Sequence, residues 1–236
     1  MSVRVPIRRC FRFYRKYIFC IGSAENKRNK MTKYQEIHPV NPEPRKIQQV
    51  MNCLEKGGII AYPTDSVYNF GCSINNKRAI EKLAKLKGIK LKKANFSLVC
   101  CDLKSIDDFT QPFSRSIFKI LNKNLPGAFT FILNASNKIP KLFDTNKKEI
   151  GIRIPDNKIA LEIVRTLGFP IVTTSIHHED EIVEYITDPE AIYQKFEHKI
   201  DMVIDGGIGN NEASTVVDCT NDEPDIIRQG IGELEY

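Results

Sequence analysis

The sequence contains no apolar run close to the roughly 20 residues that a membrane-spanning helix requires, and the longest candidates, such as residues 17–22, are far shorter. Its seven cysteines are scattered and include no C-x-x-C pair, which argues against a disulfide framework and for reduced thiols. We therefore expect a cytoplasmic protein that does not enter a membrane. Cys100 and Cys101 end an apolar run, and we predict one side chain inside the core and one outside, not a redox site.

Several motifs of catalysis and nucleotide binding are also absent. The chain has no Gly-Lys-Ser/Thr of a Walker A loop, no G-x-G-x-x-G after a strand and no G-x-S-x-G. Its four histidines form no metal-ligand spacing with a cysteine, so we predict no metal held by the protein. The polar cluster His177-His178-Glu179-Asp180 is interpreted as a solvated loop, because adjacent residues of an extended chain point in opposite directions.

The formal net charge of +6 is distributed unevenly along the 236 residues. Residues 1–30 carry nine Arg and Lys residues against one acid, a net charge of +8, which leaves −2 for residues 31–236. A nearly neutral body argues against a domain that coats nucleic acid.

The basic N-terminal segment lacks the apolar stretch of a secretory signal. We predict that residues 1–40 are an extension, disordered or translated upstream of a misassigned start, and that the folded domain spans residues 41–236. A basic targeting or nucleic-acid-contacting extension is the alternative for the first thirty residues.

Helical and strand patterns alternate from residue 41 onward, with short connections. Amphipathic spacing predicts five helices, at residues 44–56, 77–87, 112–122, 158–167 and 189–199. Short apolar or alternating runs predict strands at residues 59–62, 96–101, 129–134, 149–154, 171–175, 202–205, 215–219 and 226–228. This order predicts one α/β domain with a mixed sheet, whose ligands bind at loops that leave the strand ends.

The densest group of polar residues, Tyr62-Pro63-Thr64-Asp65-Ser66-Val67-Tyr68-Asn69-Phe70-Gly71-Cys72, follows a buried strand. Hydroxyl and carboxylate groups at a strand end suit the binding of a small polar ligand. The alternative is a turn that caps a following helix, for which Thr64 or Asp65 would serve equally well.

This segment resembles the Y-P-T-[DE]-[ST]-x-Y-x-[LF]-G-C signature of the YrdC-like family, the L-threonylcarbamoyladenylate synthases and their YciO-type relatives. Further segments agree in the order typical of the family, over most of residues 50–232: Lys87, Asn95-Phe96-Ser97-Leu98, residues 126–133, Gly151-Ile152-Arg153-Ile154-Pro155, Thr174-Ser175, residues 213–218 and Ile227-Arg228-Gln229-Gly230. The resemblance implies a single domain with a twisted mixed sheet, flanking helices and a concave groove.

The resemblance also implies a function and a set of site residues. Family synthases join threonine, bicarbonate and ATP with Mg²⁺ into threonylcarbamoyl-AMP for tRNA modification, so we expect a nucleotidyltransferase of this type, with no catalytic residue assigned. The threonine would contact Thr64, Arg153 and Ser214. The nucleotide would contact a second set of side chains, Lys87, Thr130, Ser175 and Arg228.

Two of these cations have a second interpretation from pattern alone. Lys87 extends the apolar stripe of its helix, yet a lysine there also complements the helix C-terminus. Arg153 alternates with Ile152 and Ile154, which fits an exposed strand face as well as the floor of a groove.

Two departures from the synthase pattern place the chain nearest the YciO-type branch. Ile89 stands where the synthases usually carry the arginine of Lys-x-Arg, and His177 replaces the asparagine of Ser-x-Asn. The alternative function is a non-catalytic protein that binds double-stranded RNA, with the lysine run at residues 85–93 as its contact; a solvated helix end explains that run equally well. The sequence predicts no oligomeric state.

Overall fold

The computed structural model describes residues 31–143, 148–176 and 185–236. Six α-helices lie in these ranges: α1 (Pro44–Glu55), α2 (Lys77–Leu86), α3 (Arg115–Asn124), α4 (Lys138–Phe143), α5 (Lys158–Leu167) and α6 (Pro189–Phe196). The strands are β1 (Lys33–Glu36), β2 (Ile60–Tyr62), β3 (Asn69–Ser73), β4 (Ser97–Val99), β5 (Phe129–Asn134), β6 (Glu149–Arg153), β7 (Ile171–Ser175), β8 (Met202–Asp205), β9 (Thr215–Asp218) and β10 (Asp225–Arg228). Short 3₁₀ turns occur at Leu91–Lys93 and Lys104–Ile106.

These strands form one mixed sheet in the order β1-β8-β2-β3-β7-β4-β6-β5-β9-β10. Strand β8 pairs in parallel with β1 and β2, whereas β3 is antiparallel to both β2 and β7. In the second half, β4 is parallel to β6 and β5 is parallel to β9. The predicted α/β class with a mixed sheet is confirmed.

The first strand of the sheet lies before the predicted domain boundary. Strand β1 pairs with β8 from Lys33 to Glu36, so a boundary after residue 40 is too late and the fold already includes β1. Its sequence, Lys-Tyr-Gln-Glu, lacks apolar alternation because it is an edge strand with largely exposed side chains. The predicted extension at residues 1–30 lies outside the described residues.

Strand β3 was not predicted, and it excludes the alternative of a turn that caps a helix. The polar segment that ends β2 leads into a strand, Asn69–Ser73, and not into a helix. All five residues of β3 are buried between β2 and β7. Asn69 and Ser73 interrupt the apolar pattern, so hydrophobic periodicity does not predict this central strand.

Apolar clusters cover both faces of the sheet, as the alternation of strand side chains requires. On one face, Ile60 and Tyr62 of β2 pack with apolar residues of α1 and α5. On the other face, Ala61 of β2 belongs to a larger cluster that includes residues of α2, α3 and α6. Val203 of β8 joins the larger cluster, while its neighbours Met202 and Ile204 join the smaller one.

The ends of α5 follow the predicted signals, whereas α3 lies two to three residues later than predicted, α6 ends three residues earlier and α4 was not predicted. The side chain of Asn157 accepts a hydrogen bond from the backbone N–H of Ala160, and Gly168 ends α5 with a φ of 76°, a conformation that glycine adopts without strain. No helix within the described residues is long and apolar enough to span a membrane.

The adjacent cysteines divide as predicted. Cys100 is buried, and burial raises the pKa of its thiol to about 12. Cys101 is half-buried. The pair therefore presents one thiol to the core and one towards the surface.

Asn124 at the end of α3 anchors the C-terminal segment. Its side-chain oxygen accepts a hydrogen bond from the backbone N–H of Glu235 at 2.9 Å, and its Nδ2 donates to the carbonyl of the same residue at 2.7 Å. Nδ2 also donates to the carbonyl of Ile120. The buried side-chain amide of Asn124 therefore holds Glu235, seven residues after Arg228, against the end of α3.

We predict that Asn124→Ala lowers the free energy of unfolding by about 1–3 kcal/mol, because it removes three hydrogen bonds at a buried position. Thermal unfolding followed by circular dichroism measures the change. Asn122→Ala, an exposed residue of the same helix, is the control and should be nearly neutral. Equal melting temperatures for the two variants would contradict this role.

Candidate functional site

A cavity of about 720 Å³ lies against the sheet, with side chains of β4, β5, β6, β7 and β9 in its lining. Alternation along β5 contributes to this lining. In β5, Phe129, Phe131 and Leu133 belong to the larger apolar cluster, whereas Thr130 and Ile132 line the cavity. The cavity is therefore the part of a sheet face where polar residues replace the apolar ones that would pack on a helix.

The floor between β4 and β5 depends on a glycine. Gly151 of β6 lines the cavity, and a Cβ atom built there would lie 2.5 Å from Oγ of Ser97 and 3.2 Å from Cγ2 of Thr130. A side chain at this position would displace both cavity-lining neighbours. Glycine thus allows two hydroxyl-bearing residues to flank the floor.

Arg153 is the buried cation of the cavity, with only 4% of the residue exposed. Its NH2 donates to Oδ1 of Asp65 at 3.0 Å and to Oγ of Ser66 at 2.9 Å. Of the two interpretations of its alternating pattern, the structure therefore bears out the groove floor. Its Nε has no hydrogen-bond partner among the described residues.

A second layer of polar groups supports Arg153 from β3 and β7. With the Asn69 amide oriented so that its oxygen faces the guanidinium, that oxygen accepts from NH1 of Arg153 at 3.1 Å and from Thr173 at 3.3 Å. The hydroxyls of Thr173 and Tyr62 lie 2.7 Å apart. Burial raises the pKa of Tyr62 to about 12, which keeps this phenol neutral and able to donate.

A hydroxyl pair lies on the wall formed by β5 and the segment before β9. Thr130 Oγ1 and Ser214 Oγ are 2.9 Å apart, and both residues line the cavity. Arg228 of β10 also lines it and donates from NH2 to the carbonyl of Ser214 at 2.7 Å. Two hydroxyls and an exposed guanidinium are therefore neighbours on this wall.

Lys87 directly follows α2 and contacts a residue of the cavity lining. It is 9% exposed, and its Nζ donates to the carbonyl of Ser175 at 3.4 Å. Ser175 lines the cavity at the end of β7. The ammonium is thus held beside the cavity wall by a contact across the fold.

Thr64 does not belong to the cavity lining. Its hydroxyl donates to the carbonyl of Val67 at 2.7 Å and accepts from the backbone N–H of Ser66 at 3.1 Å. These bonds close the turn between β2 and β3. In this conformation the hydroxyl of Thr64 stabilises the turn. The turn places Asp65 and Ser66 in contact with Arg153.

The seven predicted site residues thus have three different placements. Five line the cavity: Arg153, Ser214, Thr130, Ser175 and Arg228. Lys87 contacts one of these five, and Thr64 lies behind the floor. Their roles in binding stay predictions.

Sequence reasoning missed Asn69, Thr173 and Gly151 as cavity residues. The sequence did contain a signal for Gly151, because in the alternating strand it lies on the same face as Arg153, opposite to the isoleucines. Asn69 gave no comparable signal, since its strand was itself not predicted.

The two departures from the synthase pattern have different outcomes. Ile89 is half-buried and packs against the larger apolar cluster, so this position contributes to the core and not to the cavity lining. His177 lies outside the described residues, as does the rest of its polar cluster.

The charged groups in the lining are mostly cationic. Lys148, Arg153 and Arg228 line the cavity together with one acid, Glu149. In the ranges that the structure describes, no group of three or more His, Cys, Asp or Glu side chains is arranged to hold a metal ion. Asp65 pairs with Arg153 from outside the lining. The remaining excess of positive charge therefore comes from Lys148 and Arg228 against Glu149, and it favours an anionic ligand.

Comparison with known proteins identifies the family. The family model Sua5/YciO/YrdC, described as "Telomere recombination", matches residues 52–230, so the chain belongs to this family of α/β domains. The chain is 40% identical over 204 residues to an uncharacterized protein of Haemophilus influenzae, covering 86% of this chain and 97% of that protein. It is 36% identical over 208 residues to Escherichia coli YciO, covering 87% and 98%.

More distant relatives have an assigned activity. The threonylcarbamoyl-AMP synthase of Coxiella burnetii is 29% identical over 171 residues, covering 72% of this chain and 90% of the synthase. This likeness confirms the predicted resemblance to both the YciO and the synthase members of the family.

Solved structures confirm the predicted fold. The crystal structure of E. coli YciO superposes with a TM-score of 0.79 at 35% identity, covering 86% of this chain and 98% of that one. The structure of P. abyssi Sua5 complexed with L-threonine has a TM-score of 0.76 at 22% identity, covering 84% and 58%. At that identity the second match shows the shared fold alone.

Proposed function

We propose that this protein binds threonine and ATP in the cavity and forms threonylcarbamoyl-AMP, as a nucleotidyltransferase that supplies tRNA modification. The observation that carries the proposal is the convergence of three chemistries in one cavity. These are a buried guanidinium on the floor, a hydroxyl pair on the wall and two further cations, Lys87 and Arg228, at its margin.

The relatives support the choice of ligands. A synthase of this activity shares 29% identity with the chain, and a Sua5 protein of the same fold has been crystallised with L-threonine. For this chain both the activity and the ligand are inferences from those proteins and from the chemistry of the lining.

The proposed reaction has two steps. The amino group of threonine takes up bicarbonate and loses water to form a carbamate. A carbamate oxygen then attacks the α-phosphorus of ATP, a new P–O bond forms, and the bond to the leaving pyrophosphate breaks. Negative charge moves onto pyrophosphate in this step, so cations beside the phosphates lower the barrier.

Six of the predicted site residues have a place in this scheme. Arg153 pairs with the threonine carboxylate, and Ser214 with its hydroxyl. Lys87, Ser175 and Arg228 face the phosphates. A final contact to the nucleotide comes from Thr130, and Mg²⁺ enters bound to the phosphate oxygens of ATP.

We predict that the full-length protein, given L-threonine, bicarbonate, Mg²⁺ and ATP, releases pyrophosphate in a threonine-dependent way, and that Lys87→Ala lowers kcat/KM about 10- to 100-fold. The factor corresponds to the loss of one hydrogen bond between charged groups, about 1.5–3 kcal/mol. Pyrophosphate release and the adenylate product are measured directly.

Lys85→Ala is the matched control, because Lys85 is an exposed lysine of the same helix and its loss should leave kcat/KM within about twofold. Wild-type protein without threonine-dependent pyrophosphate release would contradict the enzymatic proposal. Equal activities for the two variants would contradict the role of Lys87.

A second candidate function, binding of double-stranded RNA, is favoured by one observation. Residues 77–93 carry eight Lys and Arg residues and one acid, and the lysines at 85, 90, 92 and 93 are exposed. This run continues directly into Ala94 and Asn95 of the cavity lining. A local cationic surface of this kind would contact the phosphate backbone.

For this candidate we predict that the affinity for a duplex RNA falls as the salt concentration rises. Charge reversal at Lys90, Lys92 and Lys93 should make the slope of log K against log[salt] shallower by about 1–3. The reason is that each lost phosphate contact removes just under one unit of slope. Reversal of three exposed lysines elsewhere, Lys56, Lys119 and Lys158, is the control. Fluorescence anisotropy measures both. A slope unchanged by the first triple variant would contradict RNA contact at this surface.

A further inference from the structure

Asp65 makes contacts that connect three separate segments of the chain. Its Oδ1 accepts from NH2 of Arg153 at 3.0 Å, and its Oδ2 accepts from the backbone N–H of Asp156 at 2.8 Å. Its carbonyl accepts from Nδ2 of Asn210 at 3.0 Å. Each carboxylate oxygen therefore has its own donor, which determines the plane of the carboxylate.

The ion pair between Asp65 and Arg153 is buried on both sides. The side chain of Asp65 is 9% exposed and that of Arg153 is 5% exposed. Charges so removed from water require a partner with good geometry, and a buried charge that loses its partner is destabilised. The carboxylate thus neutralises the guanidinium and holds it in one place at the cavity floor.

The contacts of Arg153 leave donors available. A guanidinium has five N–H donors, and those made to Asp65, Ser66 and Asn69 occupy three of them. One remaining donor is the second N–H of NH1; the other is Nε, which is buried and has no partner in the part of the chain that the structure describes. Three hydrogen bonds to protein groups fix the orientation of the guanidinium before a ligand carboxylate binds.

Asp65 itself does not line the cavity, whereas Arg153, which it contacts, does. We propose that Asp65 is a positioning residue, which holds the Arg153 guanidinium in the orientation that receives the carboxylate of the amino-acid substrate. This inference rests on the proposed function for the identity of that substrate. The geometry of the ion pair itself does not depend on it.

Asp65→Asn tests the proposal, because it keeps the size of the side chain and removes the charge and one acceptor. We expect the KM for threonine to rise about tenfold or more, with kcat at saturating threonine and the KM for ATP within about twofold of wild type. A variant that merely unfolded part of the protein would instead lower kcat and the active fraction for both substrates.

Asp156→Asn is the matched control. It removes the same charge three residues from Arg153, and its own side chain is exposed, while the backbone N–H that binds Asp65 is retained. Both KM values should stay at the wild-type level. An increase in the threonine KM of equal size in the two variants would overturn the inference.

A second readout separates this inference from the proposed function. The Nε–H resonance of Arg153, assigned by its loss in Arg153→Lys, should have a heteronuclear NOE close to that of the backbone in the wild type and a clearly lower one in Asp65→Asn. If the wild type releases no pyrophosphate with threonine, the proposed function fails, and the NOE still decides whether Asp65 positions Arg153. An unchanged NOE in Asp65→Asn would overturn the inference.

If Asp65→Asn does not fold, Asp65→Glu takes its place, because it retains the charge and moves the carboxylate by one methylene. The proposal then predicts an increased threonine KM with an unchanged ATP KM. A threonine KM equal to that of wild type would again overturn it.

Discussion

The buried ion pair between Arg153 and Asp65 is the interaction on which the rest of the site depends. A guanidinium that is 4% exposed at the floor of a cavity requires a carboxylate beside it, and that carboxylate requires the turn between β2 and β3. This turn depends on the hydroxyl of Thr64, which forms hydrogen bonds with the backbone of both Ser66 and Val67. Much of the polar signature between β2 and β3 is therefore explained by the support of one cation.

The sequence predicts the fold where burial dominates local structure. The helices α1, α2 and α5 begin and end within a residue of their predicted bounds, because apolar spacing marks their extent and a glycine follows each C-terminal end. Strands β1 and β3 were not predicted, for opposite reasons. Strand β1 is an exposed edge with no apolar alternation, whereas β3 is central but contains the polar residues Asn69, which contacts Arg153, and Ser73. In both strands tertiary pairing, and not the local pattern, determines the structure.

The site was predictable in composition but not in arrangement. Five of the seven residues that the family resemblance implied line the cavity, and strand alternation accounts for two of them, Thr130 and Arg153, whose strand neighbours belong to the core. The position of Thr64 depends on which way its hydroxyl points within a turn, and the sequence does not specify that direction. Ile89 shows the reverse case, because a position expected to face phosphate contributes an apolar side chain to the core.

The central claim is that Arg153 receives the carboxylate of threonine, and isothermal titration of L-threonine into the full-length protein tests it most directly. Arg153→Lys keeps the charge that neutralises Asp65 but lacks the planar fork of donors; Arg165→Gln, an exposed arginine of α5, is its control. The account predicts saturable binding by the wild type and the control, and binding weakened about tenfold or more by Arg153→Lys. Equal affinity in all three proteins, or no binding by the wild type, would contradict it.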